Sequence, residues 1–162
     1  MAATEQAKRL VPGDRAPAFT LRDQDDEKRS LKDFAGAPLV VYFYPADDTP
    51  GCTKEACQFN DNLRAFDRAG VAVVGVSPDD PASHRAFRAK YRLRFPLLSD
   101  PDHKVMQGYG AWGEKTLYGR KTTGVIRSTF LVGPDGKVRQ AWYGVRADGH
   151  AVKVLDEAAA LG

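Results

Sequence analysis

The sequence predicts an α/β fold with a central mixed β-sheet flanked by helices, and three observations lead there. Two runs of apolar, β-branched and aromatic residues, Leu39-Val40-Val41-Tyr42-Phe43-Tyr44 and Val71-Ala72-Val73-Val74-Gly75-Val76, read as strands buried on both faces. Between them Ala56, Phe59, Leu63 and Phe66 recur at intervals of three, four and three residues, the spacing of one helical face. Further on, Ser128-Thr129-Phe130-Leu131-Val132 and residues 138–145 flank Gly133-Pro134-Asp135-Gly136, a turn that joins antiparallel strands.

The remaining elements follow in order. Residues 1–12 read as a poorly ordered lead-in or an added edge, and residues 18–21 and 29–31 flank an Asp-rich turn, which makes an N-terminal β-hairpin. The strand from Leu39 ends at Pro45; Thr-Pro-Gly then opens a helix that runs to about Arg68 and stops at Gly70. After the second apolar strand come a helix near 82–92 and an extended Phe95-Pro96-Leu97-Leu98. Strand, helix, strand alternation with crossovers of this length means parallel pairing in the sheet core. The Ala-rich stretch 151–161 closes the chain as a helix, and no repeat interrupts this order. A length of 162 residues with 43% hydrophobic content suits a single domain over 1–162.

Charge narrows the function. Twenty-four basic residues are offset by 21 acidic ones for a formal net charge of +3, weak grounds for a polyanion partner. Arg85, Arg88 and Arg92 fall on one helical stripe, but Phe87 and Tyr91 form a separate apolar pair, so the stripe reads as the solvent side of an amphipathic helix and no nucleic-acid partner is expected. The first residues lack a cationic region followed by an apolar stretch, and no apolar run approaches membrane-spanning length. A cytoplasmic protein without membrane association is the expectation. Two cysteines in such a reducing compartment are more often catalytic or redox-sensing than structural.

Those cysteines, Cys52 and Cys57, lie where the first core strand hands over to a helix. The first turn of a helix offers unpaired backbone N–H groups and the positive end of the macrodipole, which favour a thiolate. Cys52 is therefore expected to be an acidic, nucleophilic thiol, with Thr49 three residues earlier able to aim its hydroxyl at the sulfur or at an incoming oxygen. The alternative is a small buried hydrophobe. Cys57 has two readings, a partner for Cys52 or an inert core residue. On an ideal helix positions five apart are separated by about 140° and about 7.5 Å of rise, so their Cα atoms lie about 8.7 Å apart. A disulfide needs roughly 4.4–6.8 Å. If the helix starts at or before Cys52, a bond between the two belongs to a second conformation with the first turns unwound. His84, His103 and His150 are scattered, so no metal set and no cofactor are expected.

The segment Pro45-x3-Thr49-x2-Cys52 resembles the peroxiredoxin signature, and Thr-Pro-Gly-Cys-Thr-Lys-Glu-Ala-Cys is similar to the bacterioferritin comigratory protein, or PrxQ, subgroup. Ser99-Asp100-Pro101, Tyr109-Gly110-Ala111-Trp112-Gly113-Glu114-Lys115 and Gly124-Val125-Ile126-Arg127-Ser128-Thr129-Phe130-Leu131 look like the same subgroup in the same order. The resemblance implies a thioredoxin-like fold of peroxiredoxin type and a peroxidase of hydrogen peroxide and organic hydroperoxides. It makes Cys52 the peroxidatic cysteine, Thr49 the peroxide contact, Pro45 the shield of the sulfur, Arg127 the catalytic arginine and Cys57 the resolving cysteine. Glu55 either orients Arg127 or complements the helix dipole as a first-turn acid. The implied cycle is thiolate to sulfenic acid, then an intramolecular disulfide, then reduction by thioredoxin. An intrachain partner for Cys52 favours a monomer. Two other functions share these residues: a thioredoxin-like disulfide oxidoreductase, which normally carries Cys-x-x-Cys, and a non-enzymatic redox sensor or holdase.

Overall fold

The computed structural model describes residues 9–161; the expected elements appear in the expected order, with a short helix at 104–108 and two strands within 112–125 added to them. Strands β1 (Thr20–Arg22) and β2 (Lys28–Ser30) form the N-terminal hairpin, and a 3-10 turn at Leu31–Phe34 leads to β3 (Leu39–Phe43). Helices α1 (Pro50–Asp61) and α2 (Leu63–Arg68) cross to β4 (Ala72–Ser77), and α3 (Pro81–Tyr91) crosses to β5 (Leu97–Ser99). Then come α4 (Lys104–Gly108), β6 (Trp112–Leu117), β7 (Arg120–Val125), β8 (Ser128–Val132), β9 (Val138–Tyr143) and α5 (His150–Ala159).

Seven strands make one mixed sheet in the order β2-β1-β5-β4-β3-β8-β9. β3, β4 and β5 are parallel, as the crossovers require, while β8 runs antiparallel to β3 with Phe43 opposite Ser128. Side chains alternate across β3. Val40, Tyr42 and Tyr44 enter one apolar cluster with Cys52, Ala56, Phe59, Phe66, Phe87 and Val154, from α1, α2, α3 and α5. Leu39, Val41 and Phe43 enter the other, with Met106, Tyr109 and Phe130. Every side chain of β3 is thus buried, which explains its unbroken apolar run. Phe59 is fully buried and stacks on Tyr42 with ring centroids 4.6 Å apart, so truncation to Ala would cost about 3–5 kcal/mol.

Three departures from expectation have local causes. The single helix expected to Arg68 breaks at Asn62, whose backbone leaves the helical region (φ −100°, ψ 6°) while its side-chain amide donates to the Gln58 carbonyl at 2.8 Å. An Asn amide that competes for a helix carbonyl in this way is a known helix breaker. Residues 112–125 form a separate two-stranded ribbon, β6 against β7, that no apolar alternation announces. Residues 1–8 of the expected lead-in lie outside the described residues, but Arg9 and Leu10 are held: the guanidinium of Arg9 sits 4.9 Å over the Tyr143 ring and the Leu10 amide donates to the Tyr143 hydroxyl at 2.7 Å. No helix among the described residues is long and apolar enough to cross a membrane.

Candidate active site

The site forms where β3 ends and α1 begins. Thr49 is the N-cap in extended backbone and Pro50 occupies the first helical position, where its missing N–H removes one of the groups that a helix start leaves unpaired. Gly51 and Cys52 follow in the first turn, so their amides also have no intrahelical acceptor. The helix therefore begins before Cys52 and runs unbroken past Cys57, the case in which a disulfide requires unwinding. Both cysteines are free, Cys52 buried and Cys57 half-buried.

Arg127, in the link between β7 and β8, reaches across the sheet end to this turn. Its carbonyl accepts from the Val145 amide at 2.9 Å, and the neighbouring Ile126 amide donates to the Ala111 carbonyl at 2.7 Å, which fixes the link on both sides. One guanidinium nitrogen lies 3.3 Å from the Cys52 sulfur and another donates to Glu55 Oε1 at 2.7 Å. The close approach depends on Gly51: a Cβ there would meet Arg127 Nη2 at 3.2 Å. Glu55 is completely buried, and its second oxygen, Oε2, has no hydrogen-bond partner among the described residues. Burial pushes its carboxyl up to about 7, against the pull of Arg127. Burial in turn lowers the Arg127 pKa, but the charges of Glu55 and Cys52 outweigh that and hold the guanidinium above its ordinary range.

Of the residues singled out in the sequence, Arg127 is in direct contact with both Cys52 and Glu55. The Thr49 hydroxyl is not turned to the sulfur; it donates to the Ala46 carbonyl at 2.8 Å, which leaves its lone pairs free to accept. Pro45 is half-buried directly beyond β3. Cys57 stands apart, its thiol pKa raised by burial and then by the charge of Asp61. One residue after it, Gln58 clamps α1 to the loop before α5: its amide donates to Asp148 Oδ1 and its carbonyl oxygen accepts from the Gly149 amide, each at 2.8 Å.

Sequence reasoning missed a second cluster beside the site. Oxygens of Asp47 and Asp79 and a ring nitrogen of His84 come within 4.8 Å of one another, although His84 lies 37 residues from Asp47. Hydrogen bonds among these residues and to Tyr44, Ser77 and Ser83 occupy the same atoms, so the cluster is a closed network. In the sequence only the adjacent Asp47-Asp48 before Thr49-Pro50-Gly51 marks it.

Residues 12–141 match the AhpC/TSA family. A Mycobacterium tuberculosis protein classed provisionally as a peroxiredoxin is 56% identical over 146 residues, 90% of this chain and 93% of its own. Peroxiredoxin Bcp of Escherichia coli is 44% identical over 147 residues, 91% of this chain and 94% of its own. Among solved structures, the bacterioferritin comigratory protein of Xanthomonas campestris, studied for its alkyl peroxide reduction activity, superposes with a TM-score of 0.85 at 41% identity. That match covers 96% of this chain and 98% of the other.

Proposed function

The chain belongs to the AhpC/TSA family and, within it, to the Bcp/PrxQ peroxiredoxins, a family of thiol peroxidases; from that premise we propose that Cys52 attacks hydrogen peroxide and organic hydroperoxides, Cys57 resolves the product, and thioredoxin recycles it. The observation that carries this reading is the Arg127 guanidinium shared between the Cys52 sulfur and Glu55. The alkyl peroxide reduction of the Xanthomonas relative supports organic hydroperoxides as substrates.

In the first step the Cys52 thiolate attacks one peroxide oxygen, the S–O bond forms as the O–O bond breaks, and the other oxygen leaves as an alkoxide or hydroxide that takes up a proton. Negative charge moves from sulfur to the leaving oxygen. Arg127 and the first-turn amides stand where they meet that charge, which stabilises the transition state more than the resting thiolate. Thr49, its own hydrogen engaged by Ala46, accepts the peroxide O–H and aligns it. Pro45 limits water at the sulfur.

The Cys57 thiol then displaces hydroxide from the Cys52 sulfenic acid, giving a disulfide and water. In the intact helix Cys57 is both too far away and held as a thiol by burial and Asp61. Unwinding of α1 removes both obstacles at once. A reduced dithiol protein of the thioredoxin type then takes over the disulfide by exchange. Because the partner cysteine is intrachain, the working unit is a monomer, and the reducing cytoplasm is the compartment that supplies the reductant.

The test is steady-state peroxide consumption with NADPH, thioredoxin reductase and thioredoxin. Continuous turnover that Cys52→Ser abolishes is the expected result. Consumption of one equivalent without turnover would point instead to a redox sensor or holdase. Insulin reduction without peroxide turnover would point to a disulfide oxidoreductase.

A further inference from the structure

Thr49 ends a turn, residues 45–49, that carries its own bond from the Thr49 hydroxyl to the Ala46 carbonyl and in which Asp48 has φ +56°, a conformation uncommon for non-glycine residues. Such a conformation persists where neighbouring structure fixes it. Here α3 and the loop before it do so. Asp47 Oδ1 accepts from the Tyr44 hydroxyl at 2.5 Å, and Oδ2 accepts from the Ser83 hydroxyl at 2.8 Å and faces His84 Nδ1 at 2.7 Å. The Asp47 amide donates to Asp79 Oδ2 at 2.8 Å, an oxygen that also accepts from the Ser77 hydroxyl at 2.7 Å. Asp48 accepts from Lys90 Nζ and from the Tyr91 hydroxyl, each at 2.7 Å, but that pair is exposed and contributes little.

The buried anchor is His84. It is fully inaccessible, and its other ring nitrogen, Nε2, lies 3.0 Å from the Leu98 carbonyl. A carbonyl oxygen only accepts, so Nε2 donates. Nδ1 faces the Asp47 carboxylate at 2.7 Å. The ring is thus committed at both nitrogens, one to β5 and the other to the turn.

We infer that His84 is a positioning residue for the peroxidase reaction: by clamping Asp47 to α3 it fixes the Ala46 carbonyl that holds the Thr49 hydrogen and so leaves the Thr49 oxygen to accept from peroxide. The inference rests on the reading of Thr49 as the peroxide contact. It assigns His84 no contact with peroxide or sulfur; its effect runs through Asp47, Ala46 and Thr49.

Two conservative variants separate this role from a merely structural one. In His84→Asn the side-chain amide occupies the place of Nδ1 and keeps the clamp on Asp47 while losing Leu98. In His84→Gln the amide reaches Leu98 and loses Asp47. Each removes one bond from the same buried ring, so a role in folding alone treats them alike. The reduced proteins are mixed with hydrogen peroxide in single-turnover stopped flow, and Cys52 alkylation by iodoacetamide, which needs no aligned peroxide, is followed in parallel by peptide mass.

The Gln variant is expected to react with peroxide about 10- to 100-fold more slowly than wild type, the Asn variant within about threefold, with alkylation within about threefold in all three. Equal loss in Asn and Gln, an unimpaired Gln variant, or alkylation that falls in step with peroxidation overturns the inference. Should His84→Gln not fold, Asp47→Ala breaks the same clamp from the turn side and is held to the same peroxide and alkylation criteria. A wild type that reacts slowly with peroxide removes the peroxidase reading and this inference together. A fast wild type with a fast Gln variant removes this inference alone.

Discussion

Arg127→Gln separates two things that one guanidinium does. It deletes the 3.3 Å contact to the Cys52 sulfur and the 2.7 Å ion pair to Glu55, a pair in which the Arg side chain is 17% exposed and the Glu side chain 0%. Loss of a preorganised donor at a centre of moving charge slows the chemical step about 100- to 1,000-fold. Loss of one partner from a buried pair costs about 3–5 kcal/mol when the other stays charged. That second cost depends on pH. Glu55 titrates at about 7 in the fold against 4.5 unperturbed, so folding favours its protonated form. The contribution is full below about 4.5 and lost as pH rises through about 7, a span worth about 3 kcal/mol by linkage. Without Arg127 the carboxyl moves higher still. Arg127→Gln should therefore be close to wild type in urea denaturation at pH 6 and clearly weaker at pH 8.5, while its stopped-flow peroxide rate is low at both. The double variant Glu55→Gln/Arg127→Gln, with no charge left to bury, should recover the stability at pH 8.5 but not the rate. A double variant within about tenfold of the wild-type rate would overturn the donor role of Arg127, which would then act only by neutralising Glu55.

Gly51→Ala places a Cβ 3.2 Å from Arg127 Nη2 and should lower the single-turnover peroxide rate by about tenfold. A thermal melt should show unchanged or slightly higher stability, since Ala favours a helix over Gly by about 0.5–1 kcal/mol. Burial, then Lys153 and Arg127, lower the His150 pKa to about 4, and its Nε2 lies 2.9 Å from the Thr129 hydroxyl. The neutral ring is the form that folds, so its contribution is present above about 6.5 and lost as pH falls through about 4; urea titrations should find this acid-side slope reduced in His150→Gln. In hydrogen exchange, the disulfide form should lose protection over residues 53–61, because the amides from Thr53, which bonds to the Thr49 carbonyl, to Asp61 bond to carbonyls within the unwound turns, while α2 keeps its protection. Equal protection of α1 in both redox forms would contradict a helix that must open.

What could be read in the sequence was what local pattern encodes. The unbroken apolar run of β3 and the three-four spacing that runs through α1 into α2 placed Cys52 at a helix start, and the structure puts it in the first turn. The β6–β7 ribbon was not legible, because Trp112-Gly113-Glu114-Lys115 and Arg120-Lys121-Thr122-Thr123 show no apolar face: the ribbon pairs only with itself. The break at Asn62 depends on one side-chain amide choosing a backbone carbonyl, which periodicity does not report. The ion pair of Glu55 with Arg127 spans 72 residues and was suggested by family resemblance, since in the sequence Glu55 reads equally well as a dipole-complementing first-turn acid; the helix starts at Pro50, which puts Glu55 beyond the first turn and removes that second reading. The contact of His84 with Asp47 had no such signal. A His on the buried side of a helix and an Asp in a turn become partners only when β4 and α3 fold over the end of β3.

The proposed cycle turns on a nucleophile held at a helix start and a partner that reaches it only after the helix opens. Treatment of the fully reduced protein with one equivalent of hydrogen peroxide, followed by non-reducing peptide mass mapping, tests it directly. The expected product is a monomer with an intramolecular link between Cys52 and Cys57. Oxidised Cys52 beside a free Cys57 thiol, or a disulfide joining two chains, would contradict it.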